Sequence, residues 1–133
     1  MQLILVSHTG VATGMQKAAK FIAGTNGNSI CVELDEHGIE NFKQRFEKMV
    51  ESLDKQETVR LVSDIPAGSP GNNGLAILKR AGFKVEYLSG MNLGMILDLI
   101  LSDSATTALD AGIQSIQLFN DEAEDKGPEK EEF

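Results

Sequence analysis

The sequence predicts an α/β protein: a doubly wound, mostly parallel sheet with helices on both faces. Short apolar runs alternate with amphipathic segments of helical period along most of the chain, the pattern of successive βα units. Glycine- and proline-bearing turns separate the segments, and a length of 133 residues suits one core without staples.

Each element follows in order. Leu3 to Val6 is the first strand, ending just before His8. Gly10 to Ala23 carries Ala12, Met15, Ala18, Ala19 and Ile22 at spacings of three and four, which makes one helical face. Gly24 to Asn28 stops it. Ile30 to Leu34 is a second strand, and Ile39 to Leu53 lines up Ile39, Phe42, Phe46, Met49, Val50 and Leu53 on a second helical stripe. Val59 to Ser63 is the third strand and runs into Asp64-Ile65-Pro66-Ala67-Gly68-Ser69-Pro70. A helix from about Ser69 to Ala81 follows, with Pro70 in its first turn and Gly82 as its stop. Lys84 to Leu88 is a fourth strand. Met91 to Leu101 is nearly all apolar and fits either a core helix or a subunit interface. Thr106 to Ala111 is helical, and Ser115 to Leu118 is expected as a last strand. Residues 1–120 thus form one domain, and residues 121–133 an acidic, solvated tail.

Composition narrows the function. The net charge is −8, and the tail holds seven acidic groups against two lysines, so the body is only mildly acidic. Phosphate-backbone binding needs clustered Lys and Arg, which argues against nucleic acid or an anionic membrane as partner. With no Trp and one Tyr, platforms for base stacking are scarce. The single Cys31 excludes an internal disulfide and a cysteine-based zinc site, and fits a reducing compartment, the cytoplasm. It sits mid-strand among apolar residues, as a core residue does. No apolar run is long enough for a signal peptide or a membrane span.

The chemistry gathers at two strand ends. In open α/β sheets, ligands bind outside the carboxyl ends of the strands, next to helix N-termini. His8 stands at one such end; Asp64 and Ser69 stand at another. The chain has neither Gly-x-x-x-x-Gly-Lys-[Ser/Thr] nor Gly-x-Gly-x-x-Gly, so a nucleotide cofactor is not expected, and no metal site is either. Neutral imidazole is itself a nucleophile near pH 7, its unperturbed pKa being about 6.5. A carboxylate that accepts the other ring N–H fixes the tautomer and stabilises the charge that builds up. Asp64 can do this if its strand lies beside the first. Ser69 and the backbone N–H groups around Gly68 can meet phosphoryl oxygens, because phosphoryl transfer asks mainly for alignment and donors. The same residues also fit a structural reading, with His8 hydrogen-bonded at a strand end and Asp64 or Ser69 capping a helix. His37, in Glu36-His37-Gly38, reads as a surface turn residue.

Ser7-His8 with Ala12 and Gly14, then Asp64 to Asn72, then Ser89-Gly90-Met91-Asn92-Leu93 occur in an order and spacing that resembles the enzyme IIA component of the mannose, fructose and sorbose class of the bacterial phosphoenolpyruvate-dependent sugar phosphotransferase system. The resemblance spans Met1 to about Leu118. It implies that His8 accepts a phosphoryl group from the phosphocarrier HPr and passes it to a IIB component, with no bound cofactor and with membranes involved only through the transporter complex. It implies Asp64 as the imidazole partner and Ser69 as a phosphoryl contact. It also implies a homodimer with an exchanged last strand, which assigns Ser115 to Leu118 to an interface. Three positions depart from the family pattern: Thr9 where a glycine is usual, Ala67 in the usual Gly-Gly-Ser-Pro, and Gly94 where proline is common. Thr9 either restricts the loop or donates its hydroxyl to phosphate. Two other readings stay open: the related phosphotransfer domain that serves dihydroxyacetone kinases, and a non-catalytic α/β regulatory module. The transported sugar is not legible in a component that never touches it.

Overall fold

The computed structural model describes residues 2–24 and 28–120; the expected acidic tail at 121–133 lies outside them. Nine elements follow in order: β1 (Gln2–His8), α1 (Val11–Ala23), β2 (Ile30–Leu34), α2 (Gly38–Val50), β3 (Val59–Ser63), α3 (Ser69–Arg80), β4 (Val85–Ser89), α4 (Leu93–Ser102) and α5 (Ala105–Gln114). The four described strands pair in the order β2-β1-β3-β4, every pair parallel. The α/β reading holds.

Alternation along the central strands separates two cores. Leu3 and Leu5 of β1 join Val62 of β3 on the face covered by α1, α4 and α5, whose Ala12, Ala19, Met95, Ile96, Leu99 and Ala108 are buried there. Ile4 and Val6, with Leu61 of β3, face α2 and α3 and meet Phe42, Phe46, Ile77 and Leu78. Helices on both faces are what right-handed parallel crossovers produce when the chain steps from β1 to β2 and then back past β1 to β3. Phe42 and Phe46 stack at 5.8 Å between ring centroids. Gly74 of α3 lets Phe46 approach, since a Cβ there would stand 3.2 Å from its ring.

The reversal of strand order falls between β1 and β3. There the helices leave on opposite faces, and a crevice opens at the carboxyl ends of the two strands. His8 ends β1 and Asp64 follows β3 at this point.

The apolar segment Met91 to Leu101 is a core helix over most of its length: Met91, Met95, Ile96 and Leu99 are buried, and Leu101 is exposed. The expected strand Ser115 to Leu118 pairs with no described strand. Its first amides stay in the helix end instead, Ser115 N–H donating to Ala111 O and Ile116 N–H to Ile113 O. Ile116, Leu118 and Phe119 are left exposed.

Candidate functional site

Parallel register places Val6 beside Ser63, so the chain continues on each side by one or two residues to His8 and Asp64. Asp64 Oδ2 accepts from the His8 backbone N–H at 3.0 Å and lies 2.8 Å from His8 Nδ1. Asp64 Oδ1 accepts from Ile65 N–H at 3.0 Å. Burial alone would raise the Asp64 carboxyl, but the hydrogen bonds from the His8 backbone, the imidazole and Ile65 outweigh it and hold the pKa below the ordinary aspartate value. An ionised carboxylate only accepts, so the proton of a neutral His8 ring sits on Nδ1 and the lone pair on Nε2. The Asp64 side chain is 11% exposed and that of His8 48%, so the carboxylate is sheltered while the ring is open to a large partner.

The loop from Asp64 to Ser69 is held from below. Ser63, fully buried, donates its hydroxyl to the Ile65 carbonyl at 3.3 Å and lies 2.8 Å from both Tyr87 OH and Ser89 Oγ. Its own carbonyl accepts from Gly90 and Met91 N–H, tying the end of β3 to the turn after β4. Gly71 makes room for this cluster: a Cβ there would fall 2.1 Å from Tyr87 OH and 2.9 Å from Ser63 Cβ. Ala67 adopts a left-handed φ of 61°, a conformation that explains why glycine is usual there. Gly68, extended, is the N-cap of α3 and makes no side-chain cap. A Cβ on Gly68 would stand 3.6 Å from His8 Cε1, so this backbone lies against the imidazole. Ser69 comes next and is exposed; Pro70 fills the first turn, where a missing N–H is tolerated.

The loop after His8 is anchored differently. Thr9 donates its hydroxyl to the Leu34 carbonyl at 2.9 Å, at the end of β2. Gly10, at φ 90°, starts α1 and accepts no residue with a Cβ without strain. Glu33 of β2 reaches across, its Oε1 accepting from Gly10 N–H at 2.9 Å and its Oε2 from Thr13 N–H at 2.8 Å. Ser7 Oγ accepts from Ala12 N–H at 2.8 Å and donates to His8 O. Burial works to raise the Glu33 pKa, but these hydrogen bonds prevail and it lies below the ordinary value. Ser7 belongs to the motif around His8, whereas no motif marks Glu33. The available signal was a carboxylate inside the otherwise apolar Ile30-Cys31-Val32-Glu33-Leu34, next to the carboxyl end of a strand.

The other expected residues fall into place. Cys31 donates weakly to Ala12 O at 3.5 Å, and burial followed by the nearby Glu33 charge pushes its pKa up to about 11, so it is an inert core thiol. His37 is exposed at the start of α2, its N–H and Nδ1 both on Asp35 Oδ1. Asp35, Glu36 and His37 bring ligand atoms within 4.8 Å of one another at the surface, an arrangement that the turn itself accounts for. Asn92 of the third motif caps α4 by accepting from Met95 N–H and donates to Gly112 O of α5. Gly94 packs under α5, where a Cβ would lie 3.0 Å from Ser115 Cβ. Glycine in place of the common proline thus permits close helix contact. No described helix is long and apolar enough to cross a membrane.

This sheet, with these helices, recurs in solved structures of sugar phosphotransferase components. The mannose/sorbose-specific IIA subunit from Enterococcus faecalis superposes with a TM-score of 0.80 at 17% identity, covering 90% of this chain and 94% of that one. The IIA protein associated with a fucose utilization operon of Streptococcus pneumoniae gives 0.72 at 24% identity, covering 90% and 91%. A proposed phosphoenolpyruvate-dependent sugar phosphotransferase permease from Klebsiella pneumoniae gives 0.71 at 29% identity, covering 91% and 92%. No curated protein matches the sequence. The family model described as PTS system fructose IIA component matches residues 2–117. The chain belongs to this mannose-type enzyme IIA family, whose general role is phosphotransfer in the sugar phosphotransferase system.

Proposed function

We propose that the protein is a phosphohistidine carrier that takes a phosphoryl group from HPr onto His8 Nε2 and delivers it to a IIB component during carbohydrate uptake. The observation that carries this is the 2.8 Å contact between His8 Nδ1 and a sheltered Asp64 carboxylate. It leaves Nε2 as the nucleophile and provides a counter-charge for the imidazolium created when phosphorus attaches. The group moves as PO3⁻: one P–N bond breaks at the donor ring as another forms at Nε2. The donor ring, an imidazolium while phosphorylated, leaves neutral, and the His8 ring takes up the positive charge with its Nδ1 proton in place. No proton changes hands, so the site needs no general acid.

Donors for the phosphoryl oxygens come from the start of α3, which runs past the imidazole at Gly68 and presents Ser69. Thr9 serves the loop: its hydroxyl is used on Leu34, which supports the restricting role over a phosphate contact. The half-exposed imidazole suits a partner that presents its own histidine, with exposed Ile65, which lies with His8 beside Gly68, as apolar rim. Exposed Ile113, Ile116, Leu118 and Phe119 support a homodimer in which the segment after α5 is covered by a second copy. Phosphoenolpyruvate, enzyme I and HPr supply the test. Intact mass should show one acid-labile phosphoryl group on the wild type and none on His8→Ala; a wild type left unmodified by a competent donor refutes the carrier role.

A further inference from the structure

The N-terminus of a helix with free amides is an anion site, and α1 begins three residues after His8. Left open, it would draw in a phosphoryl group on His8 and hold it. It is not open. Gly10 has no side chain with which to cap, and the amides of Gly10, Ala12 and Thr13 are taken by Glu33 Oε1, Ser7 Oγ and Glu33 Oε2. The carboxylate comes from the neighbouring strand, and Thr9 clasps the same strand end through Leu34 O. The start of α3, by contrast, carries no side-chain cap.

We propose that Glu33 is a positioning residue that closes the start of α1 to the phosphoryl group, so that the group rests against α3 and stays easy to pass on. This rests on the carrier reading. A relay works when donor, carrier and acceptor hold the group at similar free energies, and a deep anion site beside His8 would stop the relay there. Glu33 acts against this twice, by occupying the amides of Gly10 and Thr13 and by setting a negative charge at the start of the helix. The transfer step is unchanged: the P–N bond at His8 Nε2 breaks as the P–N bond to the acceptor ring forms, and PO3⁻ carries its charge across.

Glu33→Gln keeps the shape, removes the charge and turns one acceptor into a donor. With limiting phosphoryl groups shared between HPr and this protein at equilibrium, the variant should hold about fivefold or more of the wild-type ratio of phospho-His8 to phospho-HPr. Hydrolysis of its phospho-His8 should be slower. A role confined to stability lowers the Tm and leaves that ratio where it was. A second measurement needs no variant: amide NMR of the wild type before and after phosphorylation. Gly68 and Ser69 should shift strongly, with Gly10 and Thr13 nearly fixed. An unchanged partition in Glu33→Gln, or strong shifts at Gly10 and Thr13 with Gly68 and Ser69 still, overturns the inference. A wild type that accepts no phosphate refutes the carrier reading, and this inference with it, before Glu33 is reached.

Discussion

The two helices that leave the central strands start in opposite electrostatic states. After β1, the amides of Gly10, Ala12 and Thr13 at the start of α1 are taken by Glu33 and Ser7, and the loop is pinned to β2 through Thr9 and Leu34. After β3, α3 opens on Gly68 without a side-chain cap, and the loop before it is braced from beneath by Ser63, Tyr87 and Ser89. Topology is the same on both sides of the switch point. The difference lies in what occupies the amides: a neighbouring strand's carboxylate and Ser7 at one end, no side-chain cap at the other. Helix N-termini at a strand-order reversal are therefore not equivalent binding sites; a neighbouring carboxylate can silence one.

The largest effect on this contrast comes from the residue between the two ends. His8→Ala should abolish phosphoryl uptake while leaving the fold, and hence the Tm, close to wild type, because the side chain is half exposed. Asp64→Asn comes next. The amide can present its NH2 to Nδ1 and so favour the wrong tautomer, and phosphorylation should slow on the order of 10²-fold or more in rapid-quench kinetics. The same substitution has a pH signature. The folded Asp64 carboxyl lies below its ordinary value, so its stabilisation is present above the unfolded pKa of about 3.9 and fades as pH falls through the lower folded value. Asp64→Asn should therefore flatten acid unfolding below about pH 4, as followed by circular dichroism.

At the open end, Ser69→Ala should cost about tenfold in transfer rate, the worth of one hydrogen bond to a charged group, with the Tm unaffected. Gly71→Ala tests the brace: its Cβ would collide with Tyr87 OH, and a thermal melt should show a loss of about 1–3 kcal/mol, partly regained with Tyr87→Phe. The smallest change is at the filled end. Thr9→Ala gives up one exposed hydrogen bond to Leu34 O, worth about 1 kcal/mol, and should leave phosphorylation nearly intact. A Thr9→Ala protein that folds well and fails to accept phosphate would return Thr9 to the phosphate site.

Much of this was legible because its signals are local. Apolar runs ending at His8 and Ser63, and amphipathic stripes at Ala12, Met15 and Ala19 or at Phe42 and Phe46, are read within a few residues. The pairing of His8 with Asp64 was only conditional, since it depends on β1 and β3 being neighbours across 56 positions. Glu33 is not legible for a related reason: its partners Gly10 and Thr13 lie on a different βα unit, and capping from another strand leaves no pattern at the helix start. Ser115 to Leu118 has the β-branched and apolar residues of a strand but pairs with no described strand of its own chain, and a strand exchanged between subunits needs a second copy to pair with. The fate of Met91 to Leu101 rested on tertiary burial, which composition alone does not decide.

The central claim is that Nδ1 of His8 belongs to Asp64 and Nε2 to the phosphoryl group. The direct measurement is 15N–31P correlated NMR of protein labelled with [15N]histidine and phosphorylated through phosphoenolpyruvate, enzyme I and HPr. The account predicts phosphorus coupled to Nε2 of His8, with a protonated Nδ1. Phosphorus on Nδ1, or on His37 with His8 unmodified, would contradict it.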